Sequence, residues 1–229
     1  MVDIISLLVA LSATVAAGLG IFVLGHFFRD QLKNLFDDAN YFVFFFLISG
    51  YVLYAIGELT YYLMNVNFPG KDIIGVQDVY WFGGGILILV SFMGLNLYLS
   101  RENNHHYFLT SLLIALSLAV ISYLLVARAN SFLFDVTYPV ISSLIIGFSS
   151  IVFFAAGSLG LMARPLQILF FASLAILLGD IFFSFELKGG NVKLISDAFY
   201  LVGYSVSGVA FIFFRKNMLS YANRNNKNN

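Results

Sequence analysis

Seven apolar runs, each long enough to cross a bilayer, leave this chain very few ways to fold. They fall at about 4–28, 39–64, 78–99, 107–127, 137–161, 165–186 and 196–215. About 20 apolar residues of helix cross a ~30 Å hydrocarbon core. Inside lipid every backbone N–H and C=O must be paired within the protein, which leaves helices and closed barrels. Continuous runs of this length select helices. Only 10% of the residues are charged, against about 25% in an ordinary soluble domain. The expectation is an all-α polytopic membrane protein built as a seven-helix bundle, with lipid as its first partner.

The breakers agree with these bounds. Asp37-Asp38-Ala39-Asn40 precedes the second run, and Pro69-Gly70 separates the second from the third. Arg164-Pro165 separates the fifth from the sixth, and Gly189-Gly190-Asn191 the sixth from the seventh. The first run lacks the basic flank of a cleavable signal peptide and reads as a retained span. Lys and Arg set the orientation. One side carries Arg29, Lys33, Arg101, Arg164, Arg215, Lys216, Arg224 and Lys227, eight of the 12. The other carries Lys71, Arg128, Lys188 and Lys193. The richer side is expected to be cytoplasmic, with the N-terminus outside, in the cell membrane. Residues 216–229 are polar and Asn-rich and are expected to form a disordered cytoplasmic tail.

A net charge of zero suggests no face for nucleic acid. The absence of cysteine removes disulfides, thiolate metal sites and Cys nucleophiles. There is no phosphate loop, zinc-protease pair or serine elbow, and "GSLGLM" at 157–162 is not a nucleophile motif. His26 reads as interfacial. His105 and His106 lack further ligands for a metal. No enzyme, cofactor or metal centre is expected.

An internal repeat is expected from two segments. "GELTYYLMNVNFPGKDIIGVQDVYW" begins at Gly57, and "GDIFFSFELKGGNVKLISDAFYLVGY" at Gly179. Gly57-Glu58 falls on Gly179-Asp180. After a loop three residues shorter, Asp78 falls on Asp197, Tyr80-Trp81 on Phe199-Tyr200, and Gly84 on Gly203. The halves, about 4–99 and 137–215, then run in the same sense, joined by helix 107–127. This is a three-plus-one-plus-three parallel repeat about an axis along the membrane normal. Gly83-Gly84-Gly85, Gly203 and Gly208 read as close-packing positions.

The four aligned acids are the candidate site. A carboxylate at a helix centre costs about 2.5–3.5 kcal/mol. Asp78 and Asp197 avoid most of that at helix N-termini, where the dipole favours an acid and a capping role is open to each. Glu58 and Asp180 lie one to two turns inside their helices with no cap to make. Structural hydrogen bonds to another helix are one reading. The other is an outer vestibule binding a hard cation, a proton, or an organic amine among Tyr61, Tyr62, Tyr80, Trp81 and Tyr200.

The order Asp180, Phe182-Phe183, Gly189-Gly190, Asp197, Phe199-Tyr200, Gly203-Tyr204 resembles multi-pass membrane sensor regions. Those regions precede cyclic-di-GMP synthase and histidine kinase domains in bacterial proteins. The seven-helix layout also resembles microbial rhodopsins and SWEET sugar transporters. The rhodopsin lysine is missing, since Leu201 follows Asp197 by one turn, and so is the SWEET Pro-Gln signature. The sensor resemblance implies a receptor-like module binding a small ligand, proton or cation. It also implies a separate cytoplasmic or membrane signalling partner, because no output domain lies in this chain. A small transporter, or a non-catalytic subunit of a membrane complex, is the alternative. A homo-oligomer is compatible with either.

Overall fold

A computed structural model describes residues 4–28, 39–68, 75–102, 106–127, 133–185 and 191–228. Arg29, Lys33, Asp37-Asp38, Pro69-Gly70, Lys71, His105, Arg128, Lys188 and Gly189-Gly190 lie outside these residues. Among the described residues the chain is helical throughout, and seven helices are long and apolar enough to cross a membrane. Their principal helices are α1 (Ile4–Phe27), α2 (Ala39–Asn67), α3 (Val76–Glu102), α4 (His106–Ala127), α5 (Leu133–Ser149), α6 (Ala163–Phe183) and α7 (Val192–Asn228), the fifth and sixth spans taking in short turns between α5 and α6 to run Asp135–Phe154 and Ala156–Phe183.

Most of these helices are apolar on both faces, as expected where one face meets neighbours and the other lipid. Small residues mark the inner faces. Ala10, Ala13, Ala16, Ala17 and Gly20 bury α1 against its neighbours. Contacts close a cycle of six helices: α1 with α2, α2 with α3, α3 with α5, α5 with α6, α6 with α7, and α7 with α1. Helix α4 packs on α5 and α3, placing Ser111, Ala115, Ala119 and Ser122 inward. Tyr51, Leu47, Ile48, Ile88, Phe92, Leu169, Phe211 and Phe214 are fully buried.

Three helix pairs touch backbone to backbone, most tightly α4 and α5, where a Cβ on Gly147 would lie 2.1 Å from Ala115 Cα. A Cβ on Gly84 would lie 2.8 Å from the Gly50 carbonyl oxygen and 2.7 Å from the Tyr54 ring. A Cβ on Gly203 would lie 3.1 Å from the Ala172 carbonyl oxygen and 2.7 Å from Ile176. Gly83 and Gly208 are less crowded. The nearest atom to an added Cβ is 3.2 Å away at Gly83 and 3.6 Å at Gly208.

Three boundaries depart from the sequence expectation. The fifth helix does not run to 161. It stops at Ser149 and is followed by short turns, Ile151–Phe154, Ala156–Leu159 and Gly160–Met162. The hydroxyls of Ser149 and Ser150 bond back to the carbonyls of Ile146 and Gly147, at 3.0 and 2.6 Å. Such back-bonding offers helical carbonyls an alternative partner. Gly160 then adopts φ +53°, which favours glycine. Helix α7 starts at Val192 rather than 196. It also continues to Asn228, so the segment from 216, expected to be disordered, is helical in backbone. Nothing beyond Gly208 breaks it, since no Gly or Pro follows. Pro139 sits inside α5. A proline there leaves the carbonyl four residues back without its helical donor. That carbonyl, on Asp135, accepts from Ser184 Oγ at 2.5 Å, which ties α5 to the end of α6.

Gly84→Val should destabilise the bundle by about 1–3 kcal/mol through overpacking. Gly18→Ala, which meets nothing within 4 Å, should be neutral or slightly stabilising. Thermal unfolding in detergent, followed by near-ultraviolet circular dichroism, checks the pair. Equal midpoints for the two variants would refute the close-contact argument.

Candidate functional site: an acidic, aromatic cavity

Glycines next to the acids decide what faces them. A Cβ on Gly57 would lie 2.6 Å from Trp81 Cδ1. Only glycine lets the indole lie flush against α2, one residue before Glu58. The same holds at Gly179, where a Cβ would lie 2.7 Å from the Tyr200 ring, one residue before Asp180.

Glu58 and Asp180 open onto one cavity of about 40 Å³, with Asp197 also in its lining. At ~10–15 Å³ of such space per water, roughly three waters fit. The walls are Tyr54, Tyr61, Trp81, Tyr138, Phe183, Tyr200 and Tyr204, with Gly85, Ile141, Ser142 and Ile176 between them. They come from α2, α3, α5, α6 and α7. Rings meet rings around the indole, with Tyr61 at 5.4 Å, Tyr138 at 6.1 Å and Phe183 at 6.3 Å. A smaller cavity of about 10 Å³ shares Tyr54, Ser142 and Ile176 and reaches Tyr51 and Ser173. Ser207 donates to Tyr51 at 2.8 Å beside it.

The four acids are treated differently. Glu58 is 6% exposed and accepts from the Tyr204 hydroxyl at 2.8 Å. Asp180 is 7% exposed and accepts from Tyr200 at 2.8 Å and Ser142 at 2.5 Å. Neither has a cationic partner among the described residues, and no described Lys or Arg lines the cavity. Asp78 does not line it. Its Oδ2 accepts from the Gly75 N–H at 2.8 Å, the reach-back half of a capping box. Its Oδ1 accepts from Tyr138 at 2.6 Å, so the cap also ties α3 to α5.

Asp197 is not a cap. Because α7 begins at Val192, Asp197 lies in the second turn and pairs with Lys193, one turn earlier, at 2.7 Å. Lys193 also donates to Ser6 at 3.0 Å, which joins α7 to α1.

Among the residues singled out from sequence, Glu58, Asp180, Asp197, Tyr61, Trp81 and Tyr200 share the cavity. Asp78 is one hydrogen bond away through Tyr138. Tyr62 and Tyr80 are half-buried outside the lining. Tyr54, Tyr138, Ser142, Phe183 and Tyr204 were not expected there. Tyr54 precedes Glu58 by four residues and Tyr204 follows Tyr200 by four, so helical spacing places each on its neighbour's face. Tyr138 and Ser142 share a face of α5, and only tertiary packing brings it in. Among the described residues no three His, Asp or Glu side chains converge closely enough to hold a metal ion.

Comparison with protein-family models, with curated proteins and with solved structures finds no match to this chain.

Asp78→Ala should cost about 1–2 kcal/mol by removing the cap. Lys193→Met should cost more, because it strips the Lys193 counter-charge from Asp197, which is only 7% exposed. Denaturant unfolding of both variants checks the ranking, and the reverse order would contradict the roles given to the two acids.

Proposed function

We propose that this chain is a receptor-like multi-pass membrane module that binds a small cation, of the organic-amine kind, between Glu58 and Asp180. One observation carries the reading. Two carboxylates buried at the level of the spans face a common cavity, and no described cation pairs with either. A buried carboxylate without a counter-charge is strongly disfavoured, and a bound cation removes that penalty. Aromatic walls suit an organic ammonium, which gains from ring faces as well as from the carboxylates. The dispersed placement of the acids favours such a ligand over a bare divalent ion, which needs converging oxygens.

The finer architecture follows the same reading. The acids lie at the end formed by the α2–α3 and α6–α7 connections, and the positive-inside count makes that end external. We read α1–α3 and α5–α7 as parallel repeats. The supporting contacts fall at aligned positions: Gly57 with Trp81 and Gly179 with Tyr200, then Gly84 with Gly50 and Tyr54, and Gly203 with Ala172 and Ile176. A parallel repeat also maps the six-helix cycle of contacts onto itself. Helix α7, about 55 Å long at ~1.5 Å per residue, carries Asp197, Tyr200 and Tyr204 at its start. It ends beyond Arg215, where a separate signalling partner would read its movement. The small second cavity favours a transporter as the other reading. The aromatic and aliphatic core beyond it, including Phe92, Phe211 and Phe214, would then act as the gate.

The chain has a single tryptophan, and it lines the cavity, so its fluorescence reports on this site alone. Titration of nanodisc-embedded protein with small alkylammonium ions should give a saturable change. Glu58→Gln should weaken binding by about tenfold or more, the scale of a lost charged partner. No saturable response to any amine, or an affinity indifferent to Glu58→Gln, would overturn the assignment. Flux of the same amine into proteoliposomes separates receptor from transporter.

A further inference from the structure

We infer that the ligand of this cavity carries an acceptor oxygen as well as an ammonium, as an amino alcohol does, and that the Trp81 indole N–H reads that oxygen. The inference rests on the cation-binding reading above and narrows its ligand class.

Four donors around the cavity are already committed to carboxylates. Tyr204 donates to Glu58, Tyr200 and Ser142 donate to Asp180, and Tyr138 donates to Asp78. Their remaining capacity is acceptor lone pairs, which serve an ammonium. The indole nitrogen of Trp81 is the exception. It is fully buried and lies in the lining beside the Glu58 carboxylate, which this reading gives to the ammonium, and no acceptor meets it in full hydrogen-bonding geometry. An indole N–H can only donate. A buried donor left unmade costs about 1–3 kcal/mol, and lipid around the bundle offers no substitute acceptor. The Tyr54 hydroxyl, also in the lining, can turn to donate or accept, whereas Trp81 cannot.

Geometry fixes the indole where it is. Gly57 admits the ring edge against α2, and Tyr61, Tyr138 and Phe183 pack around it. The N–H therefore cannot swing away to find another partner. The complementary ligand has its ammonium among carboxylates and hydroxyl lone pairs, and an oxygen at Trp81. The cavity of about 40 Å³ corresponds to about three or four water-sized groups, which matches a compound the size of ethanolamine. Both ends of such a ligand are satisfied in one step. A plain alkylamine leaves the indole unpaired.

The test compares ethanolamine with ethylamine on the intact protein in nanodiscs. With ¹⁵N-labelled indole, the single tryptophan gives one N–H resonance. Ethanolamine should move it downfield, and ethylamine should not. Calorimetry should show ethanolamine binding about tenfold more tightly, the worth of one hydrogen bond to an otherwise unpaired donor. Trp81→Phe, which keeps an aromatic wall, should abolish the difference between the two amines. Equal affinities with no differential shift of the indole resonance would overturn the oxygen-reading role and leave the cation site standing. Failure of both amines to bind would overturn the two together.

Discussion

Two carboxylates buried inside an apolar bundle, with no counter-ion among the described residues, are the constraint on which the other features depend. Glu58 and Asp180 lie where lipid and packed helices offer nothing to an anion. Each is instead met by hydroxyls from another helix: Tyr204 on α7 for Glu58, and Ser142 on α5 with Tyr200 on α7 for Asp180. Those bonds join α2 to α7 and α6 to α5 and α7. The acids are therefore cross-braces of the bundle as well as the walls of its cavity. Hydroxyls satisfy geometry and supply no counter-charge to an ionised carboxylate, and that motivates the ligand reading.

Glycine decides how close the elements come. Gly50 and Gly84 bring α2 and α3 to backbone contact, and Gly203 brings α7 onto α6. Gly57 and Gly179 each sit one residue before a buried acid and admit a ring from the next helix. A methyl group at either position would push Trp81 or Tyr200 outward and take the aromatic wall with it. Close packing and site geometry are thus set by the same residue type. Asp78 and Asp197 work at the periphery, the first through its cap and Tyr138, the second through Lys193 and Ser6.

Hydropathy alone was enough to read the seven spans, because lipid permits few alternatives to a helix. The anomaly of Glu58 and Asp180 was also legible, since an acid inside a span needs a reason. Other features depended on interactions that no apolar count registers. The end of α5 is set by Ser149 and Ser150 bonding back to their own helix, and by the turn at Gly160. The start of α7 was hidden because Lys193 looks like loop chemistry until its ion pair with Asp197 is seen. That misplacement made Asp197 resemble a cap. Tyr54 and Tyr204 could have been found by helical spacing from Glu58 and Tyr200. Tyr138 and Ser142 could not, because nothing in sequence order brings α5 against α3 or says which face of α5 meets the cavity. Tyr62 and Tyr80 failed for the converse reason: each neighbours a lining aromatic in sequence and points to a different face.

The central claim is that Glu58 and Asp180 serve one ligand in one cavity. A double-mutant cycle on amine affinity tests it most directly, using Glu58→Gln, Asp180→Asn and the combination, measured by calorimetry in nanodiscs. Shared contact with one ligand predicts that each single change weakens binding. It also predicts that the pair is non-additive, with a coupling of about 0.5–3 kcal/mol, as found for residues in one network. Additive effects, or an amine affinity untouched by either change, would contradict the account.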